Sequence, residues 1–271
     1  MQISIFLDKE VLDLSAFILK IIAMLTMTID HSGYIIFGGS SFFNYIGRLA
    51  FPIFAFQISQ GYIHTKNFPK YFRRLAVFAL ISQIPFMLFL YAIRNIPVPI
   101  SMIPETIYNS LITFDFTLNI FFTLLIGLAA IFVFDKSGYK ILGWLFAICL
   151  ALFAEFVHTD YGWYGITIIF LFYVFRNNKI GMSTSFILAT IALYIKKVYP
   201  VLIALNRYIE YGLDVRGFFT GSIISCLCTI LPIIFICLYN GQKGRNTKFL
   251  LYFFYPVHLL ILYLSYIFIV I

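Results

Sequence analysis

The chain has 271 residues, of which 62% are hydrophobic, 20% are aromatic and only 11% are charged. Soluble globular domains carry about 25% charged residues, so this composition excludes a water-soluble globular protein. The net charge of +8 comes from basic loops of the kind that face anionic lipid. No basic stripe with interleaved aromatic residues lies outside those loops, which argues against nucleic-acid binding.

Apolar segments long enough to cross a bilayer as helices recur along the whole sequence. The sequence therefore predicts an all-α, polytopic integral membrane bundle of about nine or ten transmembrane helices. No soluble insert or internal repeat interrupts it, so we expect residues 1–271 to form a single domain. The predicted spans lie at about 15–37, 42–64, 73–93, 117–134, 139–157, 163–175, 181–195, 217–238 and 249–270.

The loop charges predict the orientation of the spans. The densest basic loop, HTKNFPKYFRR, follows the second span, and the positive-inside rule places it in the cytoplasm together with the N-terminus. We therefore expect a multi-pass protein of the bacterial cytoplasmic (inner) membrane. The interval 94–115 is expected on the other side, with a short surface helix near 105–111, and residues 1–14 are expected to form a short interfacial helix.

The interval 196–216 breaks this alternation, because its basic residues would lie outside the cell. A tenth span at 198–212 is therefore an open alternative. The basic residues concerned are Lys196, Lys197, Arg207 and Arg216.

Ionisable side chains lie inside the first span, LSAFILKIIAMLTMTIDHSGYIIFG. A charged group near the bilayer centre costs about 2.5–3.5 kcal/mol on insertion scales, so such residues are functional candidates. Lys20 and His31 are eleven residues apart, which puts both on one helix face with a rise of about 16 Å between them. Asp30 lies about 100° round the helix from His31 and is expected to face a neighbouring span.

His31 suits a general base, because imidazole takes and returns a proton near neutral pH. The alternative is a histidine that bonds a backbone carbonyl near the outer membrane edge. Lys20 also has two interpretations: a cation that snorkels to the cytoplasmic interface, or one that holds a phosphate of a cytosolic donor.

A second intramembrane cation, Arg48, lies in the motif GRLAFPIFAF of the second span. An unpaired cation there is costly, so we expect Asp30 or Asp115 to pair with it. Pro52 is predicted to kink this helix and free a backbone carbonyl. The cytoplasmic half of the span is too polar for a lipid face and is predicted to line a cavity. Its polar residues are Gln57, Ser59, Gln60, Tyr62 and His64.

Two further groups lie on the cytoplasmic side. Arg73 and Arg74 are either ordinary positive-inside residues or contacts for the phosphates of a nucleotide-type donor. Near the C-terminus, Tyr239 and Asn240 fall in a cytoplasmic loop. Pro256 is predicted to break the final helix early, which leaves a kinked, polar-lined segment that contains His258.

On the outer side, Asn119 and Thr123 lie one helical turn apart, and Glu155, His158 and Asp160 cluster at the end of a span. These groups form either a mouth that binds the hydroxyls or amine of an acceptor or an ordinary solvated turn.

A metal site is not predicted. Asp30, His31, His64 and His258 are potential ligands, but His31 and His64 should lie toward opposite membrane faces. The sequence also has no phosphate-binding loop, dinucleotide fingerprint or zinc-protease motif.

A basic residue followed by ten residues and a histidine on the first span resembles the motif of the membrane acyltransferase type 3 superfamily. Within it, the chain resembles the TraX family, named for the conjugative pilin acetylase. The segments that carry the resemblance are LKIIAMLTMTIDH, RLAFPIFAF, YFRRLAVFALISQIPF, NIFFTLLIGL, DYGWYG, LYNGQKG and FFYPVHL.

The resemblance implies an integral membrane acyltransferase that takes an acetyl group from cytosolic acetyl-CoA to an amine or hydroxyl of an extracytoplasmic peptide, glycan or cell-envelope acceptor. His31 would be the base. The assigned residues are His31, Asp30 and Arg48 for catalysis; Lys20, Arg73, Arg74, Gln60, Tyr239, Asn240 and His258 for the donor; and Asn119, Glu155 and Asp160 for the acceptor.

Two other functions remain open. A proton-coupled secondary transporter would use Asp30 and His31 as a proton site and Arg48 as an anion site, although the internal repeats common in transporters are not visible. A non-catalytic scaffold for envelope assembly is the third possibility, but it gives no evident reason to bury ionisable residues.

Overall fold

The computed structural model describes residues 14–39, 41–96, 98, 100–113, 116–245 and 248–270. The expected interfacial helix near the N-terminus and the possible Arg48 partner Asp115 therefore lie outside the described residues, apart from Leu14. Within these ranges the chain is helical and contains no β-strand, only two isolated β-bridges. The predicted all-α class is confirmed.

The described residues form thirteen α-helices, and a short 3₁₀ turn at Ile100–Met102 precedes the fifth. The helices are α1 (Ala16–Ile36), α2 (Ser41–Gly47), α3 (Ala50–His64), α4 (Phe68–Ile93), α5 (Ile103–Thr113), α6 (Ile120–Lys136), α7 (Lys140–Phe156), α8 (Gly162–Val174), α9 (Lys179–Ile203), α10 (Leu205–Glu210), α11 (Val215–Ile230), α12 (Pro232–Cys237) and α13 (Lys248–Val270).

Each of the nine predicted spans corresponds to one helix or to two consecutive helices, namely α2 with α3 and α11 with α12. Among the residues that the structure describes, five segments are long and apolar enough to cross a membrane: α1, α4, α9, α11 with α12, and the Tyr252–Ile269 part of α13. The expected surface helix is α5.

Contacts at the basic end of the bundle, where α1 begins, tie several helix ends together. The Asp135 carboxylate at the end of α6 accepts hydrogen bonds from the Tyr62 hydroxyl of α3 (2.8 Å) and the Tyr173 hydroxyl of α8 (2.5 Å). Lys179 Nζ, at the start of α9, donates to the Cys237 carbonyl at the end of α12 (2.9 Å).

A second set of contacts defines the opposite end. The backbone of Leu118, before α6, pairs with that of Thr159, before α8. Lys196 of α9 forms an ion pair with Glu155, near the end of α7. Consecutive long helices therefore run in alternating directions. Which end faces the cytoplasm stays a prediction from the loop charges.

The second span is interrupted at Arg48 and Leu49, between α2 and α3. Pro52 was expected to kink this span, and the break falls four residues before it. The reason is that a proline cannot donate to the carbonyl of residue i−4, here Arg48, and its ring clashes with that carbonyl.

The prediction that Pro256 breaks the final helix is wrong, because α13 runs through it from Lys248 to Val270. Packing against α1 and α4 holds the two halves in one helix. Prolines are tolerated inside membrane helices for this reason.

The seventh span is longer than predicted. The apolar segment was expected to end at residue 195, but α9 continues to Ile203 through the interior Pro200. Hydropathy ends where charged residues begin, whereas the helix ends where its backbone hydrogen bonds end. A tenth span at 198–212 is not present, because that interval holds the end of α9 and the six-residue α10.

Candidate functional site

Two histidines from opposite ends of the sequence meet inside the bundle. His31 Nδ1 of α1 lies 2.9 Å from His258 Nε2 of α13, and the two rings are nearly parallel, with 4° between their planes. The other ring nitrogen of the second histidine, His258 Nδ1, lies 2.9 Å from the Phe254 carbonyl oxygen. The three groups form a short chain of hydrogen bonds.

These hydrogen bonds fix the positions of the protons when both imidazole rings are neutral. A carbonyl only accepts, so His258 Nδ1 carries a hydrogen and donates it to Phe254. His258 Nε2 is then an acceptor, so His31 Nδ1 donates to it. The remaining nitrogen, His31 Nε2, is left with a free lone pair. A neutral imidazole held in this tautomer is suited to accept a proton from a substrate.

Aromatic side chains enclose the histidine pair. The Phe89 ring lies 4.7 Å from the His31 ring, and the Phe254 ring lies 4.6 Å from the His258 ring and nearly parallel to it. His258 is buried, and His31 is half-buried. The rings are therefore held by packing as well as by hydrogen bonds, while one side of His31 stays accessible.

Asp30 and Arg48 come close together because Gly47, the last residue of α2, has no side chain where it packs against Asp30 of α1. A methyl group at Gly47 would overlap the Asp30 carboxyl. The two charges are within electrostatic range, although they do not form a direct ion pair. Arg48 Nε is buried and has no hydrogen-bond partner among the described residues. An unsatisfied buried donor of this kind is a natural place for a substrate oxygen.

Asp160 lies in the α7–α8 turn at the opposite end. Its amide donates to the Leu118 carbonyl (2.8 Å), and the Leu118 amide donates to the His158 carbonyl (2.9 Å), so backbone bonds fix the turn. The side chain is open to solvent, yet enough protein surrounds it to change its acidity. The surrounding protein displaces water from the carboxyl, and this loss of hydration raises the pKa of Asp160 to about 7. Arg48 acts against this shift and Asp30 acts in the same direction.

Tyrosines complete the surroundings of Arg48, and the sequence analysis did not find them. Tyr34, Tyr161 and Tyr194 are all within electrostatic range of its guanidinium. The Tyr161 ring stacks on Phe51 at 3.5 Å, and the Tyr194 hydroxyl lies 2.9 Å from Thr229 Oγ1. The signal available in the sequence was a set of polar aromatic residues in otherwise apolar segments.

A second cluster of cations lies at the basic end. Lys20 has no ion-pair partner in the part of the chain that the structure describes, and Lys243 is within electrostatic range of it. The loop that carries Lys243 is bound to the beginning of α1, since the Ala16 amide donates to the Gln242 carbonyl (2.9 Å) and the Asn240 amide to the Leu14 carbonyl (3.1 Å). Two neighbouring cations that pair with no carboxylate among the described residues are suited to a phosphate.

The other donor candidates occupy the same end. Arg74 lies between the rings of Tyr71 and Tyr252, 5.9 Å from each centroid, and its Nε is buried with no hydrogen-bond partner among the residues that the structure describes. Arg73 is exposed and Gln60 is half-buried.

Two donor candidates have local structural partners. The Tyr239 ring packs edge-to-face on Phe56 (5.4 Å), and Asn240 Oδ1 accepts from the Gln242 amide (2.9 Å). His258 was assigned to the donor, but the structure places it beside His31.

Two acceptor candidates already have protein partners. Asn119 is fully buried: its Oδ1 caps α6 at the Phe121 amide (3.0 Å), and its Nδ2 donates to the Ala79 carbonyl (2.7 Å) and to Gln83 Oε1 (2.8 Å). Glu155 pairs with Lys196 and accepts from the Trp163 amide at 3.1 Å. Asp160 is the member of this group whose carboxyl is open and close to Arg48.

The described residues contain no group of three His, Cys, Asp or Glu side chains arranged to hold a metal ion. His64, considered with His31 in the sequence, is exposed at the basic end of α3.

The fold and the site define a multi-pass helical membrane protein with a histidine pair and a partly unsatisfied arginine inside the bundle. The chain belongs to the TraX family: the family model described as TraX protein matches residues 15–265. This confirms the resemblance found in the motifs.

One relative is a protein of Dichelobacter nodosus described as "Probable fimbrial assembly protein FimC, serogroup H1". The two chains are 26% identical over 261 residues, which cover 93% of this chain and 95% of the relative. No solved structure matches the chain.

Proposed function

We propose that the protein is a membrane-embedded acetyltransferase. It takes an acetyl group from acetyl-CoA bound at the basic end and transfers it to an amine or hydroxyl of an acceptor that enters from the opposite end. The observation that carries the proposal is the His31–His258 pair, whose hydrogen bonds leave the His31 Nε2 lone pair free. Membership of the TraX family supports acyl transfer.

In the proposed reaction, His31 Nε2 takes a proton from the acceptor as the acceptor nitrogen or oxygen attacks the thioester carbonyl carbon. The new C–N or C–O bond forms and the C–S bond breaks. The CoA thiolate leaves with the proton that His31 returns, so the base is regenerated. Arg48 Nε, a donor without a partner, stabilises the negative oxygen of the tetrahedral intermediate.

The donor site is proposed to extend from His31 to the basic end. Lys20 lies on the same face of α1, about 16 Å along the helix axis, and the extended pantetheine arm of acetyl-CoA spans a comparable length. Lys20 and Lys243 bind the phosphates, and the unsatisfied Arg74 Nε and Ser59 Oγ offer further polar contacts. Arg73, Gln60, Tyr239 and Asn240 belong to the rim of this entry.

The acceptor is proposed to approach from the opposite end, past Asp160 and Asp30. The relative's description as a fimbrial assembly protein supports a pilin-like peptide or another cell-envelope polymer as the acceptor. With the basic end in the cytoplasm, as the positive-inside rule predicts, the protein resides in the bacterial cytoplasmic membrane and transfers the acetyl group outward.

The test uses purified protein in detergent. Binding of acetyl-CoA is measured by calorimetry, and slow thioester hydrolysis is measured by release of the free CoA thiol. We expect the parent to bind and hydrolyse acetyl-CoA. His31→Ala should bind it with similar affinity but lose about 10²–10⁴-fold in hydrolysis, the range of general-base catalysis.

His64→Ala is the matched control, because that histidine is exposed at the end of α3, and it should hydrolyse acetyl-CoA like the parent. Failure of well-folded parent protein to bind acetyl-CoA at millimolar concentration would overturn the proposal. Proton-dependent solute uptake into proteoliposomes, abolished by His31→Ala, would favour the transporter instead.

A further inference from the structure

An apolar groove runs between α9 and α11 on the outside of the bundle, away from the histidine pair. Its volume is about 460 Å³, within the range of ligand-binding pockets. The groove is open toward the surrounding membrane, since Ile195, Ile223 and Leu227 are each more than 60% exposed. Its lining residues are Ile191, Tyr194, Ile195, Val198, Tyr199, Leu202, Phe219, Ser222, Ile223, Cys226 and Leu227.

The groove has the length of one membrane leaflet. On α9 it extends from Ile191 to Leu202, a rise of about 16 Å at 1.5 Å per residue. Half of a hydrocarbon core about 30 Å thick is about 15 Å. The groove lies toward the opposite end of the bundle, where α9 ends and α11 begins. The length of the groove therefore matches the thickness of a single leaflet.

A cation lies beyond one end of the groove, where α11 begins. Arg216 is the second residue of α11, seven residues before Ile223, so the two side chains lie within about 20° of each other around the helix. Arg216 is exposed, and within the described part of the chain its guanidinium forms no ion pair. The nearby Asp214 carboxylate is engaged at the start of α11, where it accepts from the Gly217 amide at 2.8 Å.

We infer that this groove binds one acyl chain of an anionic phospholipid, with the lipid phosphate on Arg216. Basic residues at the edge of membrane helices recognise anionic headgroups, and the apolar groove below supplies the site for the chain. The site explains why a basic residue of the 196–216 interval lies at the end of the bundle where positive charge was not expected. It does not depend on the proposed acetyl transfer.

The dimensions favour an acyl chain over a protein helix. A protein helix is about 10 Å wide, too wide to be enclosed along its length by a groove of about 460 Å³. A single hydrocarbon chain is narrow enough to enter between α9 and α11. The bound lipid also packs against Tyr194. This tyrosine lines the groove and is within electrostatic range of Arg48 in the candidate site.

The test measures lipid binding to purified protein in an uncharged detergent by native mass spectrometry and by thermal melting. We expect phosphatidylglycerol to bind and to raise the melting temperature. Phosphatidylcholine with the same chains should bind several-fold more weakly. Glycerol phosphate, which has the charge but no chain, should have no effect.

Two variants separate the contact with the lipid headgroup from the contact with the acyl chain. Arg216→Gln should lose about five-fold in affinity for phosphatidylglycerol, the effect of one basic residue near a charged headgroup, while Arg207→Gln on α10 should not. Ile223→Trp, which fills the groove, should weaken both lipids, while Ile148→Trp on the exposed face of α7 should weaken neither.

The inference would be overturned if the parent and Arg216→Gln bound phosphatidylglycerol and phosphatidylcholine equally. It would also be overturned if a second copy of the protein occupied the groove, in a detergent-resistant dimer that Ile223→Trp dissociates. If Ile223→Trp fails to fold, the comparison of lipids in the parent, Arg216→Gln and Arg207→Gln still decides the question.

Discussion

His31 Nδ1 donates to His258 Nε2 across 2.9 Å, and this contact joins the first and the last long helix of the chain. The orientation of His258 is set in turn by the Phe254 carbonyl, four residues earlier in α13. In the neutral pair, one backbone oxygen therefore determines which nitrogen of His31 carries the hydrogen and which keeps a free lone pair. The proposed base depends on a partner 227 residues away.

Replacing His258 tests this positioning role. His258→Ala should lower kcat for acetyl-CoA hydrolysis about 10- to 100-fold. The reason is that the hydrogen bond that holds the His31 tautomer and supports its charged form is lost. The KM for acetyl-CoA should stay within about two-fold. His258→Gln offers a side-chain oxygen to His31 and should recover part of kcat. A raised KM with unchanged kcat would instead make His258 a donor-binding residue, as the sequence analysis assigned it.

Arg48 should act on the transition state. Arg48→Gln removes the cation and should lower kcat about 10²–10³-fold, the usual effect of losing one donor to a developing oxyanion. Arg48→Lys keeps the charge but not the planar donor geometry and should recover only part of the activity. The measurement is steady-state thioester hydrolysis with equal amounts of folded protein. Full activity in Arg48→Gln would exclude this role.

Gly47 should be intolerant of any side chain. In Gly47→Ala the new methyl overlaps the Asp30 carboxyl, so we expect about 1–3 kcal/mol of destabilisation, the usual effect of overpacking. The matched control is Gly138→Ala, since a methyl there has nothing within 4 Å. Thermal melting in detergent measures both. Combining Gly47→Ala with Asp30→Gly removes both the carboxyl and the Cβ that the methyl would meet and should restore part of the loss; no such recovery would mean that the strain lies elsewhere.

The pH dependence of stability should report on Asp160. Its pKa is raised from 3.8 to about 7 in the folded protein, so the folded state binds more protons than the unfolded state between these two values. Stability should therefore fall as the pH rises through this window. In Asp160→Asn the fall between pH 5 and pH 7 should be smaller than in the parent.

The control for this prediction is Glu210→Gln, an exposed acid on α10, which should melt with the same pH dependence as the parent. The groups that face Asp160 electrostatically, Arg48 and Asp30, stay unchanged in both variants. Parallel melting curves for the parent and Asp160→Asn from pH 5 to pH 8 would contradict the assignment.

Lys20 should contribute to donor affinity and not to the chemical step. Lys20→Gln should raise the KM for acetyl-CoA about ten-fold, since a charged hydrogen bond to phosphate contributes about 1.5–3 kcal/mol, and should leave kcat nearly unchanged. Lys243→Gln should also raise the KM for acetyl-CoA. Lys66→Gln, in the α3–α4 loop, should leave this KM nearly unchanged. Steady-state kinetics at varied donor concentration measures this, and an unchanged KM in Lys20→Gln would remove the lysine from the donor site.

The sequence predicted the helices well because the bilayer dictates their length and composition. It also singled out Lys20, His31 and Arg48, since an ionisable residue within an apolar segment is visible without a structure. It placed the second-span break at Pro52 when the break lies at Arg48 and Leu49, because the clash of a proline acts on the preceding turn.

The partners of these residues could not be predicted. Asp30 was one of two options for Arg48, and the three tyrosines around it come from two different helices and a turn. The residues around His258 predicted only a kinked, polar-lined helix, and its donor role came from the family resemblance. Its pairing with His31 depends on how α13 packs against α1, which a hydrophobic pattern does not specify.

The hydrogen-bond chain behind His31 ends at a carbonyl, and this limits how long the base can hold a proton. In a triad backed by a carboxylate, negative charge stabilises the imidazolium. Here the final acceptor is the neutral Phe254 carbonyl, and aromatic rings cover the pair. In the proposed reaction the protonated His31 would therefore be short-lived, and attack by the acceptor and departure of the leaving group would follow each other closely. Each turnover of that reaction would then begin with a neutral His31 whose Nε2 carries no proton.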